Sequence, residues 1–255
     1  GTGCTKFGNC GKDPETSALQ DLLVHGVKGL AMYAHRARQL GVVNRALDIL
    51  TVEVLFTTVT NVSFDPERLA AMARRVAVER DRARALYEEA YAKKHGERPG
   101  RLGGPAAWVP AETHEGLVAQ ADEAGILYRL AKHGPDVNGM IELIAYGLKG
   151  MAAYADHARI LGQEDDSVYA FFHEALDFLA RDTFSLGELV TMALRVGEVN
   201  LKVMALLDAA NTGAYGHPVP TQVRVTPVKG KAILVSGHDL KDLALLLEQT
   251  KGTGI

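Results

Sequence analysis

A mainly α fold is predicted from the sequence: two duplicated three-helix bundle units, followed by the first β-α element of a truncated Rossmann-like α/β domain. Three observations predict it. The stretch "LQDLLVHGVKGLAMYAHRARQLG" (19–41) matches "MIELIAYGLKGMAAYADHARILG" (140–162) at an offset of 121, an internal repeat at the scale of a whole structural unit. Helix start and stop signals recur at matching places in both copies. The last residues, "KAILVSGHDLKDLALLLEQTKGTG" (231–254), instead read as strand, tight turn and amphipathic helix.

The first helix opens at Asp13 with Pro14 in its first turn and ends at Gly41, as Pro-in, Gly-out asymmetry requires. Asn44 opens a second helix reaching about Asn61. Its segment "TVEVLFTTVTNVSF" (51–64) is β-branched and strand-like by propensity. The partner segment "FFHEALDFLARDTF" (171–184) is plainly helical, so 51–61 is assigned to helix. Asp65-Pro66 starts a third helix running to about His95-Gly96. At an offset of 120 the match resumes: Phe64 with Phe184, Leu69 with Leu189, Met72 with Met192, Arg75-Val76 with Arg195-Val196.

A Gly/Pro-rich linker at 96–113 precedes a helix expected over about 114–132. In the second copy, Ser185 to Glu188 ("SLGE") spells a capping box, and its helix should run to about Ala210, stopped by Asn211 and Gly213. Gly26, Gly29, Gly147 and Gly150 fall on helix faces. Each costs roughly 1 kcal/mol relative to Ala, so close approach of a neighbouring helix backbone is expected as compensation. A second linker covers 211–230. "AILV" within 231–235 suits a buried parallel strand, Leu240, Leu243, Leu246 and Leu247 share a helical face, and Gly252 caps that helix. The division is 1–112 (first unit), 113–213 (second unit) and 214–255 (linker and start of an α/β domain). One strand makes no sheet, so the sequence is expected to be part of a longer one.

The chemistry is concentrated in few residues. Net charge is −3 over 255 residues with 47% hydrophobic content, which gives no electrostatic case for nucleic acid or an anionic membrane. No apolar run reaches membrane-spanning length, and residues 1–20 lack the pattern of a signal peptide. Cys4 and Cys10 are the only cysteines; a reducing cytoplasmic setting is expected. Their spacing is not a C-x-x-C redox motif. The Gly-rich texture of "GTGCTKFGNCG" suits iron–sulfur ligation, but two thiols are half of the four a cluster takes. From the residues alone, a metal site and two thiols without special role both stand. His238, in "SGHDLKD", follows the expected strand, where ligands bind in open α/β sheets. Alone it reads as a loop histidine beside a helix cap made by Ser236 or Asp239. HExxH, Glu-x-x-His, GxGxxG and P-loop patterns are all absent from the sequence, which removes zincin, di-iron, dinucleotide and P-loop chemistry. The methionines at helical spacing are core fillers.

Taken together, "GCTKFGNCGK", the duplicated helical unit and "AILVSGHDLKDLALLLEQTKGTGI" resemble the hybrid-cluster (prismane, hydroxylamine reductase) family across essentially the whole chain. The resemblance implies that Cys4 and Cys10 are the second pair of a four-cysteine loop holding a 4Fe-4S cluster. It implies that His238 is one ligand of a hybrid 4Fe-2O-2S cluster whose other ligands are absent from this sequence. It further implies a cytoplasmic oxidoreductase that reduces hydroxylamine to ammonia, or nitric oxide, with electrons from a redox partner, and with no nucleic acid and no membrane involved. Two other readings stand beside it: a carbon-monoxide-dehydrogenase relative, and a non-catalytic electron-transfer or helical scaffold module.

Overall fold

The computed structural model describes residues 11–60 and 62–255. Their secondary structure is helical. Helix α1 (Pro14–Gln39) is N-capped by Asp13, whose carboxylate accepts from the Thr16 amide at 2.7 Å. It ends at Leu40, with Gly41 at φ 84°. Helix α2 (Arg45–Val59) is capped by the Asn44 side chain, so its β-branched run is helical as the repeat required. Burial of Leu47, Leu50, Val52, Val54 and Leu55 overrides a weak propensity. Helix α3 (Pro66–His95) starts at Asp65 and closes on Gly96 in the left-handed region.

The segment 96–113 is an ordered strap. A 3-10 turn (Gly104–Ala107) lies against α1. The Arg80 guanidinium donates to the Trp108 carbonyl, while the Trp108 indole N–H donates to Gln120 Oε1 at 3.2 Å. Gln120 also accepts from the Ala111 amide and donates to the Val109 carbonyl. A single glutamine side chain therefore satisfies three polar groups of a segment that has no ladder of its own.

The single helix expected over 114–132 is not formed. Helix α4 (His114–Gln120) runs into a 3-10 turn (Ala121–Glu123), the chain straightens at Gly125, and α5 begins at Ile126. The break lets Leu117, Ala121 and Ala124 all bury beside α1. Helix α5 (Ile126–Ile160) is itself interrupted at Gly134 (φ 77°, ψ 170°), and Pro135 restarts it. Helix α6 (Asp166–Phe178) is capped by Asp165. Helix α7 (Leu186–Tyr215) carries the capping box of Ser185 and Glu188, and continues five residues past the expected stop at Ala210. Asn211 and Gly213 are weak helix formers but not barriers, and Gly216 ends the helix.

Packing follows an exchanged pattern. Helix α1 lies along α3, and α5 along α7, whereas α2 packs chiefly on α5 and α6 chiefly on α1. The core runs continuously through both sets, from Leu19, Leu23 and Val27 to Ile144, Leu148 and Phe172. Ion pairs cross it: Arg36 with Asp177 at 2.5 Å, and Arg45 with Asp166.

Beyond Gly216 the chain lacks regular structure until α8 (Leu240–Thr250). The strand expected at 231–235 is not formed, and there is no strand among the described residues. Leu234 is 98% exposed. A strand needs a partner for its amides and carbonyls, and none is supplied. Helix α8 keeps its amphipathic pattern yet buries no residue. Among the described residues, no helix is long and apolar enough to cross a membrane.

Candidate functional site

Cys4 and Cys10 lie outside the described residues. His238 sits in the exposed turn before α8, its side chain 84% exposed. Asp239 occupies the N-cap position of α8 but its carboxylate makes no capping bond. The carboxylate instead lies 3.5 Å from His157 Nε2, on α5, and 3.7 Å from His238 Nε2. Ligand atoms of His157, His238 and Asp239 fall within 4.8 Å of one another. A tetrahedral ion with bonds of about 2.0 Å needs donors roughly 3.3 Å apart, so the three would have to rotate inward to share one. His157 also stacks edge-on against Phe56, with ring centroids 5.2 Å apart, which holds its ring near α2.

The deeper polar feature is a group of five charged side chains, Lys28 and Lys149 buried and Asp21, Arg129 and Glu142 partly buried. Asp21 and Lys28 lie on α1, seven residues apart and so on one face; Glu142 and Lys149 lie on α5 with the same spacing, and Arg129 stands on the first turns of α5. Arg129 holds Glu142 at 2.7 Å and donates to the Ala124 carbonyl. Lys149 places its ammonium 4.7 Å from the centre of the Tyr146 ring. Burial dominates the titration of Lys28, Lys149 and Asp21. It pushes Lys28 down to about 7, with Arg129 adding to the shift. Lys149 is also lowered by burial, and Asp21 is raised by it. His25, one turn before Lys28 and edge-on to Trp108, is lowered to about 4 by burial.

Lys28 and Lys149 appear in the sequence as repeat identities, but the cluster they form went unrecognised there. The available signal was a charged residue kept at a core-facing helix position in both copies, with an acid seven residues before each: Asp21 before Lys28 and Glu142 before Lys149.

Against known families, residues 1–255 match the Prismane/CO dehydrogenase family profile along their whole length. The chain belongs to the Prismane/CO dehydrogenase family. Among curated members, the chain is 54% identical over 255 residues to the hydroxylamine reductase of Rhodospirillum rubrum. It is 50% identical over 256 residues to that of Geobacter metallireducens, and 51% over 254 to that of Burkholderia lata. Each alignment covers 99–100% of this chain and 46% of the relative. The chain thus spans about half the length of the curated Prismane relatives it matches.

The donor set present can be tested against the iron–sulfur groups that the resemblance implies. Two thiols and an exposed imidazole are available, whereas a cubane cluster takes four thiolates. The donors in this chain complete neither cluster. His238 is nevertheless open to a group brought from elsewhere, because no hydrogen bond holds its ring among the described residues and its face is solvent-exposed.

Proposed function

We propose that the chain is the helical part of an iron–sulfur oxidoreductase of the hydroxylamine reductase type. The carrying observation is 50–54% identity along essentially the whole chain to proteins named hydroxylamine reductase. Hydroxylamine is preferred over nitric oxide because it is the substrate in the name of those relatives. The reaction takes hydroxylamine, two electrons from a redox partner and two protons to ammonia and water, with the N–O bond cleaved. Iron supplies the redox chemistry when bound. The chain's own contribution is to offer Cys4 and Cys10 to a 4Fe-4S cluster, to present His238 to the hybrid cluster from the turn before α8, and to supply the helical body from which both segments extend.

Residues 1–112 and 113–213 are read as two copies of one unit, and 214–255 as the lead into an α/β domain, whose strand 231–235 forms once neighbouring strands pair with it. Two features support the duplication. The N-caps Asn44 and Asp165, and the helix-starting Pro14 and Pro135, correspond at the 121-residue offset. The contacts Arg36–Asp177 and His157–Phe56 join positions that the same offset exchanges.

The test uses the longer polypeptide carrying this chain, made without oxygen. Iron and sulfide in amounts for two clusters, with hydroxylamine-dependent ammonia formation, are expected. His238→Ala should remove the hybrid cluster's spectroscopic signal and leave the cubane signal intact. One cluster only, with no ammonia formed, sinks the reading; retention of both clusters in His238→Ala sinks the ligand assignment.

A further inference from the structure

Next to the charge group lies a cavity of about 500 Å³, floored by Lys28 and walled by Trp108 and Phe184. That size suits a small organic molecule. Its rim brings together Arg129, Lys132 and Arg181, so four cations face two carboxylates, Glu123 and Asp182. The rim cations are held: Arg129 by Glu142, Lys132 by Asp182 at 2.8 Å, Arg181 by Glu188 at 3.2 Å.

Lys28 differs from them. It is buried at 6% exposure and lines both the charge group and the cavity. No hydrogen bond or ion pair engages its ammonium among the described residues; Asp21 and Glu142 act on it only at longer range. The charge group itself is uneven. Among the described residues, Lys28, Lys149 and Arg129 outnumber Asp21 and Glu142, leaving one cation of the group without a counterion. A buried charge without a partner is strongly disfavoured, and it can be relieved by losing its proton or by gaining an anion. The depressed lysine pKa is the first route; the neighbouring cavity offers the second.

We propose that this cavity binds a small organic anion, its carboxylate or phosphate head on Lys28 and its apolar body between Trp108 and Phe184. The walls match such a ligand. Trp108 is fixed by Arg80 and Gln120 and packs over the bare face of Gly26, where a Cβ would come within 3.0 Å of the indole. Phe184 is held edge-on by Phe178 and His133. The aromatic surfaces are therefore preorganised, which lowers the entropic cost of binding. His25 and His133, both lowered by burial, line the same space as neutral rings and can donate to the ligand without adding charge. The site is independent of the iron–sulfur reading, since it uses none of the cysteines and not His238.

Trp108 is the only tryptophan in the chain, so its fluorescence reports on the cavity directly. Benzoate and phenyl phosphate are titrated into the 255-residue chain, with phenol as the neutral control. A saturable, one-site fluorescence change is expected for at least one anion and none for phenol. Lys28→Met should weaken that binding about tenfold, while Lys149→Met, in the same charge group but outside the cavity, should stay within about twofold of wild type. Should Lys28→Met unfold by circular dichroism, Lys132→Met combined with Arg181→Gln on the exposed rim carries the comparison, with about a threefold loss expected. The proposal is overturned if neither anion saturates, if phenol binds as well as the anions, or if Lys28→Met (or, in its place, the rim variant) binds as wild type does.

Discussion

His173 shows how far burial decides a residue's chemistry in this chain. It sits on α6, fully enclosed against α2, with Nε2 3.1 Å from Thr51 Oγ1. The Thr51 hydroxyl proton is already given to the Leu47 carbonyl at 2.9 Å, so the ring N–H must be on Nε2 and Thr51 accepts it. Nδ1 then carries a bare lone pair, in keeping with its lack of a hydrogen-bond partner. A proton there would point towards Asp48 Oδ1, 3.7 Å away, yet desolvation, with Arg38 and His35 adding to it, lowers the histidine to about 3. The unfolded histidine titrates near 6.5. Between about 3 and 6.5 the unfolded chain binds the extra proton, so stability falls as pH falls through that window. Asp48 is shifted upward by its own burial, which opposes this slope, so the comparison must be between variants. His173→Gln should flatten the loss of stability between pH 6 and 4 by up to about 1.4 kcal/mol per pH unit, measured as urea-unfolding free energy. An unchanged slope would remove the neutral-histidine assignment.

Two glycines set a matched experiment at the scale of the element. Gly29 on α1 and Gly150 on α5 are repeat partners, and both were expected to receive a neighbouring helix. The neighbour at Gly29 is instead the 3-10 turn of the strap: a Cβ would lie 2.2 Å from the Pro105 carbonyl oxygen. At Gly150 nothing lies within 4 Å among the described residues. Gly29→Ala should therefore destabilise the chain by about 1–3 kcal/mol, and Gly150→Ala should stabilise it by about 0.5–1 kcal/mol through helix propensity. Thermal melts of the two variants check both signs. The same pair marks what was legible in the sequence. Caps and the helical state of 51–59 could be read because they are local or repeated. The strap could not be read, because its order comes from Arg80 and Gln120 reaching it from distant elements. The break at Gly125 was hidden for the same reason, since it exists to bury Leu117, Ala121 and Ala124 against α1. The charge group was half visible: the two lysines stood out, but which residues would meet them depends on how α1 and α5 are brought together.

Across the whole molecule, the exchanged packing of α2 and α6 makes the two sets of helices one cooperative body. Each set lends its middle helix to the other, so neither can bury its own apolar faces alone. Residues 113–215 expressed separately should lack a cooperative thermal transition by circular dichroism, while the full chain melts in a single one. Cutting the strap at 98–103 should leave the two pieces associated on a sizing column, because α2 on α5, α6 on α1 and the rest of the strap on α1 still join them. A sharp independent melt of 113–215 would show that the exchange is dispensable.

The ion pair between Arg45 and Asp166 has a consequence for how such a body arose. The two residues lie 121 positions apart, the offset of the internal sequence match, and touch each other. In a symmetric pair of identical separate chains, such a position faces itself, arginine against arginine or aspartate against aspartate. Opposite charges can meet there only once the two positions are free to change separately. The pair is exposed and adds little to stability; on the proposed duplication its value is as a record, marking a contact at which the two copies have diverged to opposite charge.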